Sequence, residues 1–347
     1  MVLPPGEAFS PESSGAIGLV VHRLARVPGR FEVVVVGAEV AAPFADVTFR
    51  GVRPGWGVGR VRRYAAGVLP AVRDADLVEV QNRPDLALYL ARRLKAPVTL
   101  VLQNDPRGMR KAERIGALAG VVTVSSYLRG RLPEGVAATV VPNCIDLAAL
   151  PNGPAVRERL VLFAGRVVAD KGADAFVEAW SLAARELPGW RAEMIGADRF
   201  GPDSPETPFL RELRPRAAAA GVAMLGYRPH RAVLEAMVAA AIVVMPSWWG
   251  EPFGLTALEA MASGAALLCS GRGGLAEVVG DAAIPVDPDD PAGMAARIVA
   301  LARDPGRMVT LGEAGRLRAA AFDVREARAA LDRVRARILH LPEDARI

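Results

Sequence analysis

The sequence predicts an α/β protein of two consecutive doubly wound domains, each a parallel sheet covered by helices on both faces. Three observations carry this. Short apolar runs such as FEVVVVG and LVLFA alternate with longer helix-patterned segments, as strands buried on both faces do. The alternation breaks once, at LPNGPAV (150–156), and then restarts. The chain has 347 residues, 52% of them hydrophobic, which suffices for two cores.

Taken in order, residues 1–4 read as a short strand, and Pro4-Pro5-Gly6 opens a loop. A helix is predicted over 16–26, strands over 31–37 and 47–49, and a turn-rich stretch at 51–59. Helices over 61–74, 84–94, 113–119 and 127–132 then alternate with strands over 77–81, 97–103, 121–125 and 138–141. Past the linker, strands are expected over 160–164, 191–196, 223–225, 242–246, 266–270 and 283–286. Between them fall helices over 172–187, 208–220, 231–240, 256–263 and 275–279, and helices run on to the end. The expected division is 1–150, 151–322, and a final segment, 323–347, whose helix (323–339) crosses back to the first domain.

No apolar run is long enough for a membrane helix. The N-terminus has no charged segment followed by an apolar one, so it does not read as a secretory signal. Two cysteines, Cys144 and Cys269, make neither a disulfide framework nor a zinc site, and a reducing cytoplasm is expected. The net charge is +5 and uneven. Nineteen Lys/Arg and 13 Asp/Glu fall in 1–150, leaving that half at +6 and the remainder at −1. Arg50, Arg53, Arg60, Arg62 and Arg63 form a run without an acid. It reads either as a solvated face or as a patch for an anionic membrane surface or a phosphorylated acceptor.

Two loops carry the chemistry. In SWWGEPFGLTALEAMASG, Glu251 precedes a helix N-terminus and Glu259 lies inside that helix. The N–H groups of Gly254, Leu255 and Thr256 would point out of the helix start, an anion site flanked by two carboxylates. A nucleotide diphosphate sugar has the matching shape. After the strand at 160–164 come Gly165, Arg166 and Lys171, one glycine and two cations suited to phosphate. A third loop, SGRGG before Glu277, would free the N–H groups of Gly273 and Gly274 for phosphate or sugar oxygens. Asp74-Ala75-Asp76 has a D-x-D form but sits between a helix and a strand, and it is read as structural. A nicotinamide enzyme would need G-x-G-x-x-G after the first strand, which is missing.

Together, G-R-x4-K-G, P-S-x3-E-P-F-G-x4-E-A-M-A-x-G and G-x-G-G-x-x-E resemble the retaining glycosyltransferases of the GT-B fold, family 4 (glycosyltransferase group 1), in which two Rossmann-like domains face across a cleft. VPNCID (141–146) resembles the family's entry into the second domain. The resemblance implies that Arg166 and Lys171 hold the donor diphosphate and neutralise the leaving group. It implies that Glu251 binds donor-sugar hydroxyls beside Phe253, Gly254, Leu255 and Thr256, that Glu259 binds the ribose, and that Tyr227 and Arg228 lie by the base. Gly15 would reach the donor phosphate. No cofactor and no metal ion would be required, and nucleic acid is not an expected partner.

Where many members of the family carry an active-site histidine, this chain has Asn104, which cannot take up a proton. Segments at 7–17, 82–84 and 104–106 are similar to those of lipopolysaccharide-core hexosyl- and N-acetylhexosaminyltransferases and related spore-coat proteins. On that likeness Glu7, Ser14, Asn82, Asn104 and Asp105 are expected on the acceptor side. The donor is expected to be a UDP-hexose or UDP-N-acetylhexosamine, with GDP-mannose as the alternative. The acceptor would be a lipid-linked, lipopolysaccharide or exopolysaccharide glycan at the inner membrane face. The rival reading is a non-catalytic carbohydrate-binding or coat protein on the same fold.

Overall fold

A computed structural model describes residues 1–154, 156–199, 201 and 203–342. Two compact units divide it. One is Met1–Cys144 with the chain from Phe322 onward, and the other is Ile145–Ala321. The division falls at Cys144 rather than at 150. The 3-10 turn Leu147–Ala149, capped by Asp146, accepts a hydrogen bond from Arg231 of the second unit at Ala149 O. Ala155 of the expected linker and 343–347 of the expected final segment lie outside the described residues.

In the first unit the elements are α1 (Ala16–Arg26), β1 (Val35–Ala38), β2 (Phe49–Val52), α2 (Arg60–Val72), β3 (Val78–Gln81), α3 (Pro84–Ala91), β4 (Val98–Leu102), β5 (Gly120–Thr123), α4 (Ser126–Arg129) and β6 (Thr139–Val140). The helix expected over 113–119 is a 3-10 segment, Ala112–Ala117, entered through Lys111 in the left-handed region. The β1-β2 pair and the four-stranded β3-β4-β5-β6 sheet are joined by Val2, which bridges Val36 on one side and Val80 on the other. Every pairing is parallel. With Val2 counted as the first strand, the order is that of a doubly wound sheet whose switch point lies between Val2 and β3. Val2, Val36, Val80, Leu86, Leu100 and Tyr64 fill its core.

The second unit runs β7 (Glu158–Ala164), α5 (Ala173–Ala183), β8 (Arg191–Ile195), α6 (Pro208–Ala219), β9 (Val222–Gly226), α7 (His230–Ala239), β10 (Ala240–Met245), α8 (Leu255–Ser263), β11 (Ala266–Cys269), α9 (Leu275–Val279), β12 (Ile284–Pro285), α10 (Pro291–Ala302) and α11 (Pro305–Ala320). Its sheet order is β12-β11-β10-β7-β8-β9, all parallel. The order reverses between β7 and β10, so this pair is the sheet's switch point, where folds of this kind bind ligands at the strands' carboxyl ends. Phe163, Phe176, Trp180, Met194 and Ile298 pack the core beneath.

The last helix, α12 (Val324–Ile338), belongs to the first unit. Its inward face carries charge. Arg335, buried, donates to both Glu79 oxygens (3.1 and 2.5 Å) and to Asp332 (2.7 Å). Arg328, also buried, donates to Asp332, to Leu24 O at 2.8 Å and to Phe31 O. Four buried groups, two guanidinium and two carboxylate, in direct contact offset much of their desolvation.

Candidate active site

The candidate site of the second unit is built from the β7 and β10 loops. Beyond β7, Gly165 adopts φ +144°, with open space where a Cβ would stand, so a ligand can approach the backbone there. Arg166 is half-buried and has no hydrogen-bond or ion-pair partner among the described residues. A 3-10 turn, Ala169–Lys171, then delivers Lys171, and Gly172 in the left-handed region starts α5. A Cβ on Gly172 would lie 1.9 Å from Pro246 O, so the two loops touch there backbone to backbone.

Beyond β10, Ser247 Oγ lies 3.1 Å from Asp170 O and 2.7 Å from Glu251 Oε1, and Trp248 N donates to Asp170 O at 3.0 Å. Lys171 Nζ donates to the same Glu251 oxygen at 2.5 Å. Glu251 is buried, and Lys171 packs 5.3 Å from the Trp249 ring. Lys171 and Glu251, which stand in different loops, are therefore one ion pair. Its second carboxylate oxygen and the remaining ammonium hydrogens are what it can offer a ligand.

The glycine-rich loop after β11 has a different use from the one its composition suggests. Gly274 N donates to Glu251 O at 2.7 Å, and Glu251 N donates to Arg272 O at 3.1 Å. A Cβ on Gly273 would sit 2.6 Å from Glu251 O. Gly273 and Gly274 thus seat the Glu251 backbone, and the Gly274 N–H is not available for phosphate. Arg272 is held by Asp287 and Asp289, both at 3.0 Å.

Gly254, at φ +100°, is the N-cap of α8, and no side chain caps the helix. The N–H groups of Leu255 and Thr256, the first of the helix, have no intrahelical acceptor, as in an anion-binding helix start. Phe253 is buried beneath them. Glu259 is buried one turn further in and bonds His230 Nε2 at 2.8 Å. His230 opens α7, just after Tyr227 and Arg228, the latter exposed and donating to Tyr227 O at 3.0 Å. Ser247 is missing from the sequence expectations, although it stands four positions before Glu251, a spacing that hints at contact. His230 reads from the sequence as a structural histidine near the loop by the base, and its bond to Glu259, 29 positions on, has no local signature.

The first unit carries the other expected residues, on the loops leaving Val2, β3 and β4. Glu7 accepts from Gly18 N at 2.9 Å, and burial pushes its carboxyl above the ordinary value against the pull of the Gly18 and Gly15 N–H groups. A Cβ on Gly15 would lie 2.9 Å from Glu7 Oε1. Ser14 Oγ donates to Ala8 O at 2.9 Å and accepts from Ser10 N at 3.0 Å. Asn82, at φ 53°, accepts from Gln103 N and Asn104 N, so its side-chain oxygen folds the β4 loop. Asn104 is exposed. Asp105 is held by Arg107 (2.6 Å) and Arg131 (2.8 Å), and its pKa falls well below the carboxylate range although burial opposes the shift. Its carboxylate serves the loop.

The two doubly wound units have the GT-B fold, and the second carries an uncapped helix start, two buried carboxylates and cations of a kind that suits phosphate. Residues 158–304, within the second unit, match the family model for glycosyl transferases group 1. In solved structures the chain is similar to HepE of Anabaena in complex with UDP and glucose (TM-score 0.80, 18% identity, 96% of this chain and 99% of that one). It is also similar to sucrose-phosphate synthase of Thermosynechococcus elongatus (TM-score 0.77, 18% identity, 98% and 99%). Among curated proteins it is 28% identical to the putative glycosyltransferase YtcC of Bacillus subtilis over 59% of this chain and 57% of that one. It is 32% identical to D-inositol 3-phosphate glycosyltransferase of Segniliparus rotundus over 65% and 54%. The chain thus spans about half the length of the curated relatives it matches.

Proposed function

We propose that this protein is a glycosyltransferase that moves a hexose or N-acetylhexosamine from a nucleotide sugar to a glycan acceptor, with retention of anomeric configuration. The observation that carries the reading is the Lys171–Glu251 pair at the switch point, flanked by Arg166, which has no partner among the described residues, and by the uncapped start of α8. Loss of a diphosphate from an oxocarbenium-like centre is the hard step, and fixed positive charge at the departing oxygens lowers its barrier. Arg166, the Lys171 ammonium and the Leu255 and Thr256 N–H groups supply that charge, so no metal is needed for it. Glu251, steadied by Ser247 and Lys171, binds donor-sugar hydroxyls. Glu259, steadied by His230, binds the ribose diol, and Tyr227 with Arg228 lies by the base.

UDP is the favoured nucleotide, supported by the UDP-bound HepE likeness, with GDP-mannose as the alternative. The acceptor is a lipid-linked, lipopolysaccharide or exopolysaccharide glycan, supported by the basic first half, and the site of action is the inner membrane face. The test is release of nucleotide from a panel of UDP-, GDP- and ADP-sugars. One donor should be hydrolysed slowly, and Glu251→Ala should lower that rate at least about 100-fold. A protein that binds a donor but releases nothing from any of them would be the carbohydrate-binding rival.

A further inference from the structure

The loop between β2 and α2 carries two large apolar side chains in full contact with water. Trp56 is 98% exposed and Val58 87%. Elsewhere in this unit's described residues, large apolar groups are packed. The loop is not loose at its base. Gly55 N donates to Arg63 O at 2.8 Å, and a Cβ on Gly67 would lie 2.1 Å from Arg53 O, so α2 presses directly on the strand-side stem. The tip, Trp56–Val58, is thereby held out on a fixed stem.

Cations surround the tip. Of the five arginines in this stretch, Arg53 is spent on Glu39 (2.7 Å), Arg50 on Ala71 O (2.9 Å) and Arg60 on Pro5 O (2.9 Å). Arg62 and Arg63 are exposed, and their guanidinium groups have no partner among the described residues. The first turn of α2 contains no acid, so these charges oppose the helix dipole and do not serve the helix. An aromatic wedge beside unpaired arginines matches an anionic lipid surface, where Trp settles at headgroup depth and arginine meets phosphate. A glycan ligand would use the indole but has no need of Val58 or of two unpaired cations.

We propose that Trp56 and Val58 insert into the interface of an anionic bilayer, with Arg62 and Arg63 on lipid phosphates. This deepens the lipid-linked acceptor reading and rests on it. The loop leaves the carboxyl end of β2, and the sheet is parallel, so it shares an edge with the Glu7, Asn82 and Asn104 loops. A lipid-linked acceptor lying in that bilayer would meet the acceptor loops from the side on which the wedge is anchored.

The test is flotation of the full chain with phosphatidylcholine vesicles, with and without phosphatidylglycerol, alongside nucleotide release from a soluble donor. Wild type should bind only the anionic vesicles. Arg62→Gln with Arg63→Gln should weaken binding about 30-fold, at about 1 kcal/mol per arginine. Trp56→Ala should weaken it roughly tenfold by loss of inserted apolar area. These side chains face water, so the variants keep the fold and the wild-type nucleotide release. Unchanged vesicle binding in both variants overturns the inference. So does a Trp56→Ala protein that still binds vesicles but loses a soluble oligosaccharide. Vesicle binding without nucleotide release in the wild type would instead defeat the glycosyltransferase reading and leave the docking surface standing.

Discussion

Glu251 illustrates how a single side chain is made useful by its neighbours. Its backbone is seated by Gly273 and Gly274, and one oxygen is shared between Ser247 and Lys171. Glu7 is the contrasting case, a carboxylate of the first unit whose pKa is raised by burial. A group with a raised folded pKa contributes stability below its unfolded pKa and loses it as pH rises through the folded value. Glu7→Gln keeps the acceptor for Gly18 N and removes the charge. It should therefore be more favourable relative to wild type at about pH 7 than at about pH 4 in denaturant titrations. An equal difference at the two pH values would show that Glu7 carries no such penalty. The candidate residues themselves were legible in the sequence, because loop, helix start and charge lie close together there. Their pairings were less so. Lys171 meets Glu251 across 80 positions, and Asn82 and Asp105, read as ligand-facing, are consumed in folding the β4 loop.

Among the elements, the strands were read well because burial on both faces leaves continuous apolar runs. Ends were displaced by a few positions, and 112–117 tightened to a 3-10 segment. What no local pattern carries is adjacency. Val2, one bridge residue at the start of the chain, joins two groups of strands into one sheet. The contact of the β7 and β10 loops is another case, and it depends on Gly172. Gly172→Ala would need φ +69° and would place a methyl 1.9 Å from Pro246 O. It should cost about 2–4 kcal/mol in chemical denaturation and reduce donor turnover, because Lys171 and Glu251 would be prised apart. Gly221→Ala, at φ +73° with open space around it, should cost only about 1 kcal/mol and spare turnover. Equal behaviour of the two variants would remove the steric argument.

For the molecule as a whole, the largest departure from sequential domains is α12, which closes the first unit through buried charge. Arg335→Met would leave Glu79 buried without its partner and should cost about 3–5 kcal/mol. Combining it with Glu79→Gln should recover part of that loss, since the lone charge is then gone. A double variant no more stable than Arg335→Met would argue that packing, not charge, joins α12 to the sheet.

That arrangement sets an order of events during translation. The unit spanning Ile145–Ala321 is one uninterrupted stretch and has all its parts once Ala321 has cleared the ribosome. The other unit, though its strands are made first, waits for Arg328, Asp332 and Arg335 before its buried carboxylate and the carbonyls of Leu24 and Phe31 find their partners. The later half of the chain is thus ready to fold before the earlier one, against the usual N-terminal-first sequence of nascent domains.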